Sequence, residues 1–426
     1  QRSSHPTGQE SSMACRACSK RRWTPTFVFC LTSLLCSKPV RELFLPAWWQ
    51  WPSELRCRDV AQAGLSLSAC TRASGTWTQA RATTSKSIGL TVGGLCLLGV
   101  CFASVKKWFE TPKRPYGEGS VADSYNEWTR DGVLEHYWGE HIHMGSYTPL
   151  SAQQGYRKND PFLVALLRAS LRPLKDFKAA KIDFTSEMID FSGAASPKKI
   201  LDVGCGIGGS SRILAQRFPN AEVTGITLSP EQASRAASLT QEAGISNAHF
   251  KVMDALNMSF SEKSFDLVWG CESGEHMPDK KKYVEEMVRV LAPGGKLVVA
   301  TWCERDPSPP FTNEERNTLD FLYAEWSHPY FISLNTYKQH LLGTGALSEV
   351  EVADWTEQTL PSWRHSIWVG VWSPWFWIKI VARRPLSFLG FLREVYTLER
   401  YHRSMRRGLM VYGLMRAAKR EEPTEV

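Results

Sequence analysis

Ile200-Leu-Asp-Val-Gly-Cys-Gly-Ile-Gly-Gly209 is the stretch that decides the fold. Ile200 to Val203 is an apolar run short enough for a buried strand. Gly204, Gly206, Gly208 and Gly209 follow at once. Ser210 to Phe218 then reads as a helix, with Ile213, Leu214 and Phe218 at helical spacing. A strand, a glycine turn and a helix N-terminus make a site for a nucleotide-like ligand. Glycines let the backbone approach the ligand closely, and the helix end presents unbonded N–H groups.

Asp202 narrows the ligand. A carboxylate just before the glycines is poor company for a phosphate and suits a cationic amino group. That favours S-adenosylmethionine (SAM) over NAD.

Downstream the chain keeps an α/β rhythm. The pattern predicts strands over 222–226, 248–252, 265–270 and 296–301. Helices are predicted over 230–243 and 279–291, the first with Ser229 as N-cap and Pro230 at its first position. Pro293-Gly294-Gly295 stops the second helix. Weaker strands are expected over 349–353 and 408–416. Alternating units of this kind give a doubly wound, seven-stranded, mostly parallel α/β sheet of Rossmann-like type. Its ligands sit outside the carboxyl ends of the strands. Asp202 with its glycines, Thr227-Leu228, Asp254-Ala255 and the run Glu272 to His276 all fall on that edge, each after its own strand.

Upstream, residues 106–197 read as a linker and an N-terminal helical segment lining the substrate site. Within it, Val121 to Tyr147 is dense in aromatic, histidine and acidic residues, more than a plain core needs. His141 and His143 alternate and are expected to share a strand face. No third ligand accompanies them, so no metal is expected. Residues 88–105 hold no charge and are followed by Lys106-Lys107-Trp108, which predicts a membrane anchor helix. Core residues 198–354 are followed by a Trp- and Arg-rich insertion, 355–407, before the last strand and tail, 408–426. That insertion is expected to be a cap over an apolar substrate or a membrane-contact surface.

The net charge of +8 misleads if read globally. Residues 1–87 hold twelve Lys or Arg against four Asp or Glu, which accounts for all of it. The body is balanced, so nothing indicates nucleic-acid binding. Eight of the eleven cysteines lie at or before Cys101. Cys205, Cys271 and Cys303 are too scattered for a disulfide framework or a zinc site. A basic cluster, an apolar run over 27–36 and an Arg/Ser/Thr-rich stretch make 1–87 resemble a targeting presequence.

These residues resemble a known family. ILDVGCGIGGSSR (200–212), GITLSP (225–230), FDLVW (265–269), ESGEHMPDK (272–280) and LAPGGKLVVA (291–300) are similar to the tocopherol and plastoquinol methyltransferases, within the wider tocopherol/sterol C-methyltransferase group. EWTRDGVLEHYWGEHIHMG (127–145) and WSHP (326–329) look like the cyanobacterial type of 2-methyl-6-phytyl- and 2-methyl-6-solanesyl-1,4-benzoquinol methyltransferase. The likeness spans about 88–420.

The resemblance implies a class I SAM-dependent methyltransferase that adds a methyl group to the ring of a prenylated benzoquinol. It also implies a plastid membrane location, at the inner envelope. Asp202, Gly204, Cys205, Gly206, Thr227, Leu228, Asp254 and Ala255 are the implied SAM contacts. Thr227 stands where many SAM enzymes carry an acid for the ribose. A phenolate pushes charge to its ortho and para carbons, so a base near the hydroxyl helps. His276 is the first candidate, with Glu275 orienting it; Glu272 and His143 are the others. Tyr137, Trp138, His141, Tyr147 and Trp269 are expected to border the substrate. Sterol C-methylation, gamma-tocopherol methylation and a non-catalytic SAM-binding membrane protein are the rival readings. Tail length and oligomeric state are not legible.

Overall fold

A computed structural model of the chain describes residues 103–421, apart from 114–115, 118, 151–152, 154, 172–174, 372 and 374–386. The expected presequence and residues 88–102 of the expected anchor lie outside the described residues.

In chain order the helices are α1 (Ser120–Asp131), α2 (Val133–Trp138), α3 (Phe162–Leu171) and α4 (Phe177–Ser192), ahead of the first strand. The alternating part runs β1 (Lys199–Val203), α5 (Gly209–Arg217), β2 (Glu222–Thr227), α6 (Pro230–Glu242), β3 (Ala248–Val252), β4 (Phe265–Cys271), α7 (Lys280–Val290) and β5 (Leu291–Glu304). There follow α8 (Asn313–Glu325), α9 (Leu334–Gly343), β6 (Leu347–Asp354), α10 (Thr356–Thr359), α11 (Pro361–Val371), α12 (Ser387–Arg406) and β7 (Met410–Lys419).

The strands form one seven-stranded sheet in the order β3-β2-β1-β4-β5-β7-β6. β1 through β5 pair in parallel, and β7 lies antiparallel between β5 and β6. The order reverses at β1, so β1 and β4 part their flanking helices there. That is where such sheets open a ligand crevice.

Strand periodicity divides the core. Ile200, Leu267, Trp269 and Val298 bury into one layer, while Leu201, Val203, Val268 and Leu297 bury into the other. Caps fix the helix starts. Ser229 Oγ accepts from the Gln232 N–H at 3.0 Å, and Asp279 Oδ1 accepts from the Lys282 N–H at 2.9 Å.

Two expectations change in detail. β5 begins at Leu291, not Lys296, because Leu291 already pairs with Phe265 before a register shift. Pro293-Gly294-Gly295 therefore lies inside an irregular strand and not after a longer helix. His141 and His143 lie in non-strand backbone, so they do not share a strand face.

In the C-terminal insertion Trp363 and Tyr401 pack inward. Trp363, Tyr401 and Trp326 stack, with Trp363–Tyr401 centroids at 4.7 Å and Trp326–Tyr401 at 4.5 Å. Trp302 meets Trp363 edge-on at 5.0 Å. Two of the insertion's arginines are buried in ion pairs. Arg393 and Glu325, both buried, form an ion pair at 2.6 Å. Arg393 also donates to the carbonyls of Trp108 and Thr111, which ties the helical residues 103–110 to α12. Arg364 pairs with Glu399 at 2.9 Å. Removing one partner of such a buried pair costs about 3–5 kcal/mol, because a charge is left without compensation.

Candidate active site

The ends of β1, β2 and β4 and the turn after β3 converge on one cavity of about 250 Å³. The glycine turn is pinned to β2: the Gly204 and Cys205 N–H groups both donate to the Ile226 carbonyl at 2.9 Å. Gly204 has φ +83°, and a Cβ there would lie 2.3 Å from Ser273 Cβ. Only glycine serves at that position.

Asp202 is buried at the cavity wall, and its Oδ2 accepts from Ser211 Oγ at 2.6 Å. Burial pushes its carboxyl up to about 7, and the Ser211 hydrogen bond offsets part of that. At the end of β2, the Thr227 hydroxyl donates to Gln232 Oε1 at 2.8 Å and accepts from the Ser229 N–H at 3.2 Å. Its hydrogen is therefore committed. The Gln232 amide, also lining the cavity, supplies free donors in its place; a Cβ on Gly206 would lie 3.9 Å from Gln232 Nε2. Leu228, one residue past β2, lines the cavity and remains 45% exposed. Beyond β3, Asp254 Oδ1 accepts from the Leu256 N–H at 2.9 Å, beside buried Ala255.

The segment after β4 forms the opposite wall. Glu272 sits in the left-handed region at φ +48°, a strain of about 1–3 kcal/mol that aims its side chain inward. Its Oε1 accepts from the Met144 N–H and from the Tyr412 hydroxyl, both at 2.7 Å. Burial, and then the Glu275 charge, push its carboxyl well above the usual range. Glu275, raised by burial, accepts from Thr301 Oγ1 at 2.7 Å. His276 Nε2 lies 3.0 Å from the Tyr125 hydroxyl, and its ring stacks on His328 at 4.6 Å. Burial, and then the Lys280 charge, push His276 down to about 3, so it is neutral.

The N-terminal segment closes the cavity, with Tyr116, Val121, Ala122, Tyr125 and His141 among the lining residues. Further polar ties hold it to the sheet domain. Ser229 Oγ donates to Asn126 Oδ1 at 2.6 Å. Arg130 pairs with Glu231 at 3.2 Å, Arg235 with Glu135 at 2.6 Å and Arg212 with Glu140 at 2.7 Å. Buried Lys181 donates to the Trp138 and His141 carbonyls, each at 2.8 Å, and so fixes the turn between them.

Hydrogen bonds assign the two nearby imidazoles. His143 Nδ1 lies 2.8 Å from the Met144 carbonyl, so it carries the hydrogen. His143 Nε2 is then an acceptor, facing His141 Nδ1 at 3.3 Å and Thr185 Oγ1 at 3.2 Å. Burial pushes His143 to about 3 and His141 to about 2. Both are neutral.

The structure thus gathers Asp202, Gly204, Cys205, Gly206, Thr227, Leu228, Asp254, Ala255, His141, His143, Glu272 and His276 around one cavity. Several expected placements fail. Glu275 is bonded to Thr301, not to His276, whose Nδ1 is buried without a hydrogen-bond partner. Trp269 is fully buried in the sheet core and does not line the cavity. Tyr147 is fully buried, with its hydroxyl 2.7 Å from His365 Nδ1, and is spent on packing. Trp138 packs on Phe177 and lies under the Lys181 ammonium, and Tyr137 is likewise absent from the lining. No described residue of 355–407 lines the cavity. Three further residues complete the site: Tyr125, inside the aromatic stretch 121–147, Gln232, three residues after the Ser229 cap, and Tyr412, bonded to Glu272 without any local signal in sequence. Among the described residues no group of three or more His, Cys, Asp or Glu is placed to hold a metal ion.

Comparison with known proteins adds to this geometry. Residues 200–295 match a methyltransferase domain family. The chain is 40% identical to the 2-methyl-6-phytyl-1,4-hydroquinone methyltransferase of Synechocystis sp. over 71% of this chain and 88% of that one. It is 36% identical to the chloroplastic tocopherol O-methyltransferase of Arabidopsis thaliana over 70% of this chain and 81% of that one. Among solved structures, geranyl diphosphate C-methyltransferase from Streptomyces coelicolor A3(2), bound to Mg2+, geranyl diphosphate and S-adenosyl-L-homocysteine, superposes with TM-score 0.53 at 21% identity, over 72% of this chain and 99% of that one. The [4+2]-cyclase SpnF does so with TM-score 0.54 at 19% identity, over the same 72% and 99%. A cyclase beside a methyltransferase shows that such likeness speaks for the fold and leaves the reaction to the site.

Proposed function

The chain belongs to the methyltransferase family that includes the 2-methyl-6-phytyl-1,4-hydroquinone and tocopherol methyltransferases, and on that premise we propose that it carries a methyl group from SAM to a ring carbon of a prenylated benzoquinol. The observation that carries this reading is the shared cavity, with a cation-accepting carboxyl on one wall and neutral imidazoles with a phenol on the other.

The cavity fits SAM. Asp202 accepts the methionine ammonium, the Gln232 amide and Thr227 meet the ribose, and Asp254 with the Ala255 N–H meets the adenine edge. Leu228 covers an adenine face. When bound, SAM supplies a methyl on a sulfonium that needs no further activation. The protein's own work lies at the acceptor. The wall of neutral imidazoles and phenol accepts the proton of a ring hydroxyl, which raises electron density at the ortho carbon. A positioned base of this kind contributes about 10²–10⁴-fold. Tyr116, Val121, Ala122 and Tyr125 on this side exclude water and hold the acceptor in line.

Plastid localisation belongs to the same proposal, supported by the chloroplastic relatives. So does membrane association. Among the described residues no helix is long and apolar enough to cross a membrane, so that part rests on the uncharged run at 88–105. The test is methyl-¹³C-labelled SAM with 2-methyl-6-phytyl-1,4-benzoquinol. A new ring-methyl signal in the product is expected; a methoxy signal, or no transfer, overturns the reading.

A further inference from the structure

We propose that Tyr125 is a catalytic residue, the group through which the acceptor hydroxyl passes its proton to His276. This rests on the quinol reading above.

The geometry is specific. Tyr125 sits on α1, 151 residues before His276 in sequence, yet its hydroxyl lies 3.0 Å from His276 Nε2. The two rings meet edge-on, at 5.4 Å and 82°. Both residues line the cavity. His276 Nδ1 is buried and has no hydrogen-bond partner. With Nε2 as acceptor, Nδ1 carries the hydrogen and the lone pair points at Tyr125. A proton reaching His276 therefore has one polar route among the described residues, the Tyr125 hydroxyl. The tyrosine oxygen keeps lone pairs with which to accept a ligand O–H.

The surroundings keep the imidazole neutral at rest. His328, itself held neutral by burial, stacks on its face. Buried Lys280 donates to the Gly274 and Glu275 carbonyls, both at 2.8 Å, and its charge disfavours a resting imidazolium. Glu272 and Glu275 face Tyr125 and, after burial, hold its phenol protonated at rest. Tyr125 thus acts as a relay rather than as a standing phenolate.

The step balances. The quinol O–H gives its proton to the Tyr125 oxygen as the Tyr125 proton moves to His276 Nε2. The oxygen's electron pair shifts into the ring, and the ring carbon bonds to the methyl while the carbon–sulfur pair stays on sulfur. The ring C–H proton then leaves to Glu272 in its ionised form, which the Met144 N–H and the Tyr412 hydroxyl stabilise. The quinol oxygen recovers its proton from His276 through Tyr125.

Because α1 carries Tyr125, the relay exists only while the N-terminal segment is seated. The Asn126–Ser229 bond next to it holds that seat.

The test is Tyr125→Phe, which keeps the ring and removes the hydroxyl. Turnover at saturating substrates should fall about 10²–10³-fold, the range of a lost general base. SAM affinity by calorimetry should stay within about twofold, since no bond to the glycine-turn side is lost. Residual turnover should climb about tenfold per pH unit from 7 to 9, as free phenolate of pKa about 10 becomes available, more steeply than in the wild type. His276→Asn cuts the same bond from the other end and should give the same pH-dependent loss. It stands in if the phenylalanine variant does not fold. Wild-type turnover and profile in either variant, or a parallel loss of SAM affinity and turnover, overturns the role of Tyr125. If the wild-type enzyme ignores quinols but methylates another acceptor, the substrate reading fails, and the variants are compared on that acceptor.

Discussion

The two walls of the cavity are built by different means. The glycine-turn wall is made of strand ends in fixed register: Asp202 lies opposite Gly225 on one side and Trp269 on the other. The facing wall is made of side chains brought from afar. Met144 reaches Glu272 across 128 positions and Tyr125 reaches His276 across 151. The first wall is a consequence of the sheet and the second of many separate polar ties. A change in the first wall should therefore strike binding, and a change in the second should strike turnover or closure.

Gly209 is where the walls touch, and it carries the largest expected effect. A Cβ there would lie 2.3 Å from the Glu140 carbonyl oxygen and 2.8 Å from His141 Nδ1. Gly209→Ala should lower both SAM affinity and turnover, together by more than about 100-fold, because backbone atoms must move. Calorimetry and steady-state kinetics on the same preparation decide it. Loss of turnover alone would mean that the walls are not coupled at that point.

Asp202→Asn comes next. Losing a charge-assisted bond costs about 1.5–3 kcal/mol, so SAM affinity should fall about 10- to 150-fold with turnover at saturation little changed. A turnover defect at saturating SAM would move Asp202 to the other wall.

The pH dependence of binding sharpens the same point. Asp202 holds its proton in the free protein until about pH 7. A cationic ligand selects the carboxylate, so binding releases a proton below that pH. SAM affinity should drop by up to about tenfold per unit as pH falls below 7, and Asp202→Asn should abolish the dependence. Calorimetry in buffers of different ionisation enthalpy reads the released proton directly.

Arg130→Ala should do least. The Arg130–Glu231 pair is exposed on both sides, and such pairs contribute about 0–1 kcal/mol. A melting curve should shift by only a few degrees at most, about what that energy allows. A collapse of turnover would make this tie the latch of the segment.

These contrasts also explain what the sequence could reveal. The sheet was legible because strands of period two and capped helices are local patterns. Asp202, Leu228, Asp254 and Ala255 were legible because a ligand site in such a sheet lies at strand ends. The facing wall was not. Nothing local to Glu275 says that Thr301 takes its carboxylate, and nothing local to His276 says that Tyr125 is its partner. Trp269 misled because a tryptophan at a strand end suits a ligand face as well as a core. Strand alternation sent it into the core layer. In the described part of the Trp/Arg-rich stretch, several of its residues are core. Trp363 and Tyr401 stack with centroids 4.7 Å apart, and Arg364 and Arg393 are neutralised by Glu399 and Glu325. A composition cannot distinguish a paired, buried arginine from a solvated one.

The most direct test of the whole account is acceptor choice. Full-length enzyme with methyl-labelled SAM would be offered 2-methyl-6-phytyl-1,4-benzoquinol, its solanesyl counterpart, a tocopherol and a sterol in competition. The account predicts that label enters the ring carbon of the benzoquinols, in preference to the sterol by more than about 100-fold, since a sterol offers no phenol for the imidazole wall. Label appearing in the sterol alone would contradict it.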